Sequence, residues 1–243
     1  MTKFALILGA SGDIGSEIAR QLAAQGWSLY LHYSSNVRRI DALWEELQHN
    51  FPEQQFSVVQ CDLSHPEQVP ALTQSIFELH AIIVAHGMEL LKLVEDTTDE
   101  EMEVLWKVHV HSPIKVMNAL MPKLKQHSSS YIVVIGSIWG HTGAANEVLY
   151  STVKGAQHAF VRAYAKEVAS LGIRVNGIAP GWIDTRMNAS FDEEELQAAH
   201  EVIPLRTIGQ PIDVAQAVTF LVSGQADYMV GEIMNINGGW YIA

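Results

Sequence analysis

Phe4-Ala5-Leu6-Ile7-Leu8 is an unbroken apolar run, and Gly9-Ala10-Ser11-Gly12-Asp13-Ile14-Gly15 follows it at once. Continuous apolarity over so few residues marks a strand buried on both faces, as in a parallel sheet. Beyond the glycines, Ile18, Ala19, Leu22 and Ala23 fall on one face of a helix. A strand, a glycine turn and a helix start make an anion cradle, because backbone N–H groups and the helix dipole point at a pyrophosphate. A glycine loop alone is equally a tight turn, so the rest of the chain has to decide.

Tyr150 and Lys154 stand four residues apart in Tyr-Ser-Thr-Val-Lys, with Ser137 thirteen residues before the tyrosine. Positions i and i+4 share a helix face. A nearby ammonium favours the phenolate and is expected to lower the phenol from its usual ~10, which suits proton exchange at neutral pH. Ser137 is placed to give a hydroxyl to a carbonyl oxygen. In isolation the pair also reads as an exposed helical couple.

Together, these motifs resemble the short-chain dehydrogenase/reductase family, and the resemblance covers nearly the whole chain. Gly9 and Gly15 match its glycine loop, although Leu8 replaces a threonine and Asp13 the middle glycine. Asp tolerates left-handed backbone better than most residues, so the turn is expected to survive. Asp62 and Leu63 resemble the pair that contacts adenine. Arg174 to Thr185 resembles the strand and loop that hold the nicotinamide, with Pro180, Gly181, the Ile183 backbone and the Thr185 hydroxyl at the cofactor. Met234 to Gly239 resembles the closing strand. The resemblance implies that Gly9, Ser11, Asp13, Ile14, Gly15, Ala85, His86 and Gly87 lie along the dinucleotide, with Tyr150 and Lys154 at the nicotinamide ribose.

The expected fold is α/β: one Rossmann-type domain over 1–243, a doubly wound parallel sheet of about seven strands with helices between them. Strands are expected near 3–8, 28–33, 56–60, 80–85, 131–136, 173–178 and 232–236. Thr98 to Glu101 has capping-box spacing and opens the helix leading to His109. The segment 186–203, with a helical stretch from Phe191, is the candidate substrate lid or else an ordinary surface helix. A chain of 243 residues, 48% hydrophobic, buries a sizeable core. A net charge of -12 argues against nucleic-acid or anionic-membrane partners. A single cysteine, Cys61, no long apolar span and no leader pattern fit a cytoplasmic protein.

NAD enzymes of this fold place an acid about 20 residues past the glycine loop, on the ribose hydroxyls. Here that position is Ser34 or Ser35, followed by Asn36, Arg38 and Arg39, and no Asp or Glu occurs between residues 18 and 40. Hydroxyls, an amide and arginines suit a 2′-phosphate, so NADPH/NADP is the expected cofactor. Against that, Gly12 stands where many NADP-using relatives carry a basic residue.

Two departures from the family concern histidines. Where many members read Asn-Asn-Ala-Gly, this chain has Val84-Ala85-His86-Gly87, and the catalytic asparagine aligns with His109. That asparagine supports, through its backbone, a water linked to the lysine. His109 either keeps that role or is a core histidine, and His86 has the same two readings. No metal site is expected, because His109 and His111 do not share a helix face.

The resemblance implies a carbonyl reductase acting on a small-molecule or protein-attached ketone, in a homotetramer built on the helix around 150–170 and the C-terminal strand. In 3-oxoacyl-acyl-carrier-protein reductases an acidic carrier docks on arginines, whereas the corresponding positions here are Ser128 and Leu171. The stretch with Trp139, His141 and Glu147 is similar to the branch that reduces 5-aminopentanone on elongation factor P. Glu147 would pair with the substrate ammonium, with Trp139 or Trp182 offering a ring face. A solvated loop carboxylate is the alternative for Glu147. A dinucleotide-binding regulator without catalysis is the alternative of another class.

Overall fold

The computed structural model describes residues 2–188, 197 and 200–242. Its strands are β1 (Lys3–Leu8), β2 (Trp27–Tyr33), β3 (Phe56–Gln60), β4 (Ala81–Val84), β5 (Ser130–Ile135), β6 (Ile173–Pro180) and β7 (Ile233–Ile236). They form one parallel sheet in the order β3-β2-β1-β4-β5-β6-β7. Each expected strand is present, with ends within two residues of those expected. This is the doubly wound α/β architecture.

The apolar run explains why β1 is central. Ala5 and Ile7 enter the core under α1 (Asp13–Ala24), α2 (Val37–Asn50) and α8 (Pro211–Val222). Leu6 and Leu8 enter the opposite core, under α3 (Val69–Gln74), α5 (Ser112–Leu124) and α7 (Val148–Val168). All four are fully buried, and each large side chain stabilises the fold by about 1.5–3 kcal/mol. A polar residue at any of them would face one core or the other without a partner. Cys61 is buried just past the end of β3, and burial pushes its thiol up to about 11.

Chain order reverses between β1 and β4, so the loops at their carboxyl ends part and leave a crevice. Gly9 turns out of β1 with φ +88°, where a Cβ would collide with the His86 backbone. The expected left-handed Asp13 is not seen. Asp13 is the first residue of α1, and among described non-glycine residues only Asn146 and Arg206 have positive φ. The turn is completed at Gly9, so residue 13 needs no special backbone freedom.

Thr98 caps α4 (Asp99–Trp106) with the expected reciprocal bonds: Glu101 N–H donates to Thr98 Oγ1 (3.2 Å) and Thr98 N–H to Glu101 Oε2 (2.8 Å). The helix then widens into a π turn, Lys107–His111, before α5. The helical stretch expected from Phe191 lies outside the described residues, as does most of the proposed lid.

Candidate active site

A cleft of about 280 Å³ opens at the carboxyl ends of the central strands. Ser137 follows β5, Tyr150 and Lys154 stand on the first turns of α7, and Pro180, Gly181, Trp182, Ile183 and Thr185 continue from β6. Ile14, Ala85, His86, Gly87, Trp139 and Glu147 complete the set of expected residues that meet there. Residues far apart in sequence converge because parallel strands deliver all their carboxyl-end loops to one side.

Trp139 N–H donates to Ser137 Oγ (3.2 Å), and Ser137 is hydrogen-bonded to the Tyr150 phenol. Having accepted one N–H, Ser137 Oγ keeps its own proton to donate and a second lone pair to accept with. Lys154 Nζ lies 5.5 Å from the Tyr150 ring centre and donates to the Ile135 carbonyl at 3.0 Å. The expected electrostatics are reversed in this state. Burial pushes the Tyr150 phenol up, and Glu147 and Glu89 push it further. Burial also draws Lys154 down to about 7. A desolvated ammonium that is only partly retained at neutral pH and already serves a carbonyl is a weak field for the phenol.

His109 sits in the π turn with its ring 5.7 Å from that of Tyr150, edge to face. Its Nε2 faces the N–H and C=O of Met88 (3.2 and 2.8 Å), and its carbonyl accepts from Gln157 Nε2 at 2.8 Å. A Cβ at Gly87 would lie 3.0 Å from the His109 ring, so glycine there admits the ring. Burial holds His109 far below the usual imidazole value. His86 Nε2–H donates to the Val108 carbonyl at 2.8 Å, and burial draws it to about 3. Both histidines are neutral at pH 7.

His141 does not join the cleft. Its ring stacks on Tyr241 (5.1 Å, 19°) and tilts against His158 (4.4 Å), because the short helix α6 (Trp139–Thr142) turns it away from Trp139. Glu89, Leu91 and Trp240 line the cleft unforeseen, and Met187, from the start of the segment expected to cover the substrate, lines it too. Lys92 N–H donates to the Asn146 carbonyl (2.7 Å), which ties the loop after β4 to the residue before Glu147. Glu89 was findable, since loops at carboxyl ends of parallel strands line such crevices. Trp240 was not, because it reaches the cleft by the chain's return after β7.

Among the described residues, three indoles and two carboxylates therefore share this cleft. Trp240 packs on Trp139 (5.0 Å, 73°) and on Trp182 (6.3 Å, 26°). Burial raises the Glu147 carboxyl, a hydrogen bond from Trp139 opposes this, and Glu89 raises it further; burial raises Glu89 as well.

The remaining expected cofactor residues extend from this cleft along the sheet's edge. Gly9, Ser11, Asp13 and Gly15 form the glycine loop and first turn of α1. Ser34, Ser35 and Asn36 are exposed at the start of α2, where Asn36 Oδ1 accepts from Arg39 N–H (3.3 Å). Helix N-terminal N–H groups with hydroxyls, and no acid in the first turn of α2, fit a phosphate. Asp62 closes its own turn, accepting from Ser64 N–H and Oγ (2.9 and 2.7 Å), and the Leu63 carbonyl accepts from Ser112 Oγ (2.6 Å). Arg39 is engaged by Asp13 at 2.6 Å.

At the opposite end of β4, Glu78, His80 and His127 bring ligand-type atoms within 4.8 Å. His80 Nδ1 accepts the Phe4 N–H (3.2 Å), so Nε2 carries the ring proton toward Glu78 and is a donor there, not a metal ligand.

Residues 9–241 match the sequence profile of a family described as enoyl-(acyl carrier protein) reductase. The chain is 41% identical to YmfI of Bacillus subtilis, described as an uncharacterized oxidoreductase, across 99% of this chain and 100% of that one. It is 31% identical to the 3-oxoacyl-[acyl-carrier-protein] reductase FabG of Rickettsia bellii, across 97% and 95%. The fold superposes with a TM-score of 0.92 on a blue fluorescent protein from a metagenomic library, solved in complex with NADPH, at 26% identity and covering 99% and 98%. A doubly wound sheet, a glycine loop at its switch point and a serine, tyrosine and lysine in one cleft agree with these likenesses, and the chain belongs to the short-chain dehydrogenase/reductase family of oxidoreductases.

Proposed function

We propose that this chain is an NADPH-dependent carbonyl reductase for a ketone whose chain ends in an ammonium, such as the 5-aminopentanone group on elongation factor P. The carrying observation is Glu147 and Glu89 beside Trp139, Trp182 and Trp240 in the cleft that holds Ser137, Tyr150 and Lys154. Carboxylates desolvated enough to have raised pKa values gain most from a cation, and indole faces add to it. NADPH is supported by the open, acid-free start of α2 with Ser34, Ser35 and Arg38, and by the NADPH-bound structural relative.

Bound NADPH would supply the hydride. Ser137 holds the carbonyl oxygen as charge develops, and Tyr150 gives it a proton. A neutral phenol, kept protonated by burial, is the form this acid requires. Lys154 would hold the nicotinamide ribose, and its lowered pKa would let it return a proton to Tyr150 near pH 7. His109 offers its buried carbonyl behind the pair, with Gln157 as that carbonyl's present donor.

The FabG likeness supports a second reading, reduction of 3-oxoacyl chains on an acidic carrier. The net charge of -12, with Ser128 and Leu171 where those enzymes have arginines, opposes it. A homotetramer is proposed with either, supported by exposed Tyr228, Val230 and Ile242 near the C-terminal strand, and light scattering reads it directly. NADPH consumption should be compared for 5-aminopentanone-modified elongation factor P, acetoacetyl-carrier thioesters and neutral ketones. The modified factor should be fastest. Faster carrier thioesters would favour the second reading, and no turnover with any would favour a regulator.

A further inference from the structure

Asp13 replaces the glycine that the family pattern places at the pyrophosphate cradle, which sets a carboxylate where anions are meant to bind. Arg39 Nη2 donates to its Oδ1 at 2.6 Å. Arg186 gives its backbone N–H to Oδ2 at 2.9 Å and its Nε to the two oxygens at 3.2 and 3.1 Å. Arg186 Nη2 also reaches the Ser11 carbonyl at 3.4 Å. Arg39 belongs to the first turn of α2, beside Ser34 to Asn36, and Arg186 follows the loop of Ile183 and Thr185. One carboxylate thus joins the two flanks of the expected dinucleotide groove, across 173 residues of sequence.

One carboxylate and two guanidiniums carry a net charge of +1. An unpaired acid at the head of α1 would compete with a phosphate for the helix N–H groups and repel it. A paired acid fixes two long, flexible side chains that otherwise lose considerable rotamer entropy on ordering. We propose that Asp13 is a positioning residue for the cofactor phosphates, holding Arg39 and Arg186 at the glycine loop as one net-positive cluster. This rests on the NADPH reading above.

The test turns on a sign. Asp13→Asn removes a negative charge from a phosphate site, so simple repulsion predicts tighter NADPH binding, whereas the cluster predicts weaker binding. NADPH dissociation constants are measured by fluorescence titration for the wild type, Asp13→Asn, Arg186→Gln and the double variant, with thermal midpoints to verify folding. Loss of charge-assisted bonds should raise the constant roughly tenfold in each single variant. The double variant should be little worse than either single one, since both remove the same cluster. Asp13→Gly, which restores the usual glycine, should also bind more weakly and covers the case of an asparagine that fails to fold. Unchanged or tighter binding in folded Asp13 variants, or fully additive losses, overturns the inference alone. A folded wild type that does not bind NADPH overturns the NADPH reading, and this inference with it.

Discussion

The Gly9 N–H donates to Nδ1 of His32 at 3.0 Å, and Nε2–H of the same ring donates to the Cys61 carbonyl at 2.9 Å. One neutral imidazole on β2 thereby fastens the glycine turn to the end of β3. Burial draws His32 to about 4, His86 to about 3 and His158 to about 3. The unfolded chain takes up these protons near pH ~6.5, so the stabilisation is complete above that pH and is lost as pH falls toward the folded values. Each histidine contributes a slope of about 1.4 kcal/mol per pH unit in that window. The thermal midpoint should fall steadily from pH 6.5 to 4.5, and His32→Gln should flatten part of the decline. A midpoint constant over that range would contradict the neutral, buried assignment.

Tyr150→Phe should remain folded and bind NADPH, with turnover reduced by a factor on the order of 10² or more. Lys154→Ala should lose both turnover and cofactor affinity. Steady-state rates beside direct binding measurements separate the two effects. Turnover near the wild-type rate in Tyr150→Phe would remove the phenol from the mechanism.

NADPH should give a higher kcat/KM than NADH, because no carboxylate stands at the end of β2 and Ser34, Ser35 and Arg38 are open there. Ser35→Asp should narrow that preference by repelling the 2′-phosphate. Parallel kinetics with the two cofactors decide it, and a wild type that prefers NADH would refute the phosphate reading of α2.

Glu147→Gln should raise KM for an amino-ketone roughly tenfold, the effect of losing one charge-assisted hydrogen bond. A neutral ketone of equal length should be nearly unaffected. Glu89→Gln should act in the same direction, because both acids line the cleft. If both substrates lose equally, the carboxylates support the cleft's shape and do not recognise a cation.

Local rules made much of this legible. The apolar run of β1, the glycines after it, the capping box at Thr98 and the i, i+4 pair on α7 depend on neighbours within a few residues. Parallel α/β topology then obliges the carboxyl-end loops to meet, which is why Ser137, Tyr150, Lys154, Ile183 and Thr185 could be placed together. Periodicity and backbone preference act over a turn or a pleat, so the sequence determined them without further information.

Solvent exclusion and long-range contact are set only when the layers close. The direction of the Tyr150 pKa changed from the expected one because burial outweighs a lysine that is itself desolvated. His141 left the cleft for Tyr241, and Trp240 entered it, through the path of a C-terminal segment whose endpoint no local pattern encodes. The union of Asp13 with Arg39 and Arg186 likewise depends on which loops the sheet order brings side by side. Spacing along the chain determined which groups were available, and the dielectric and partners around each of them were decided by the packed fold.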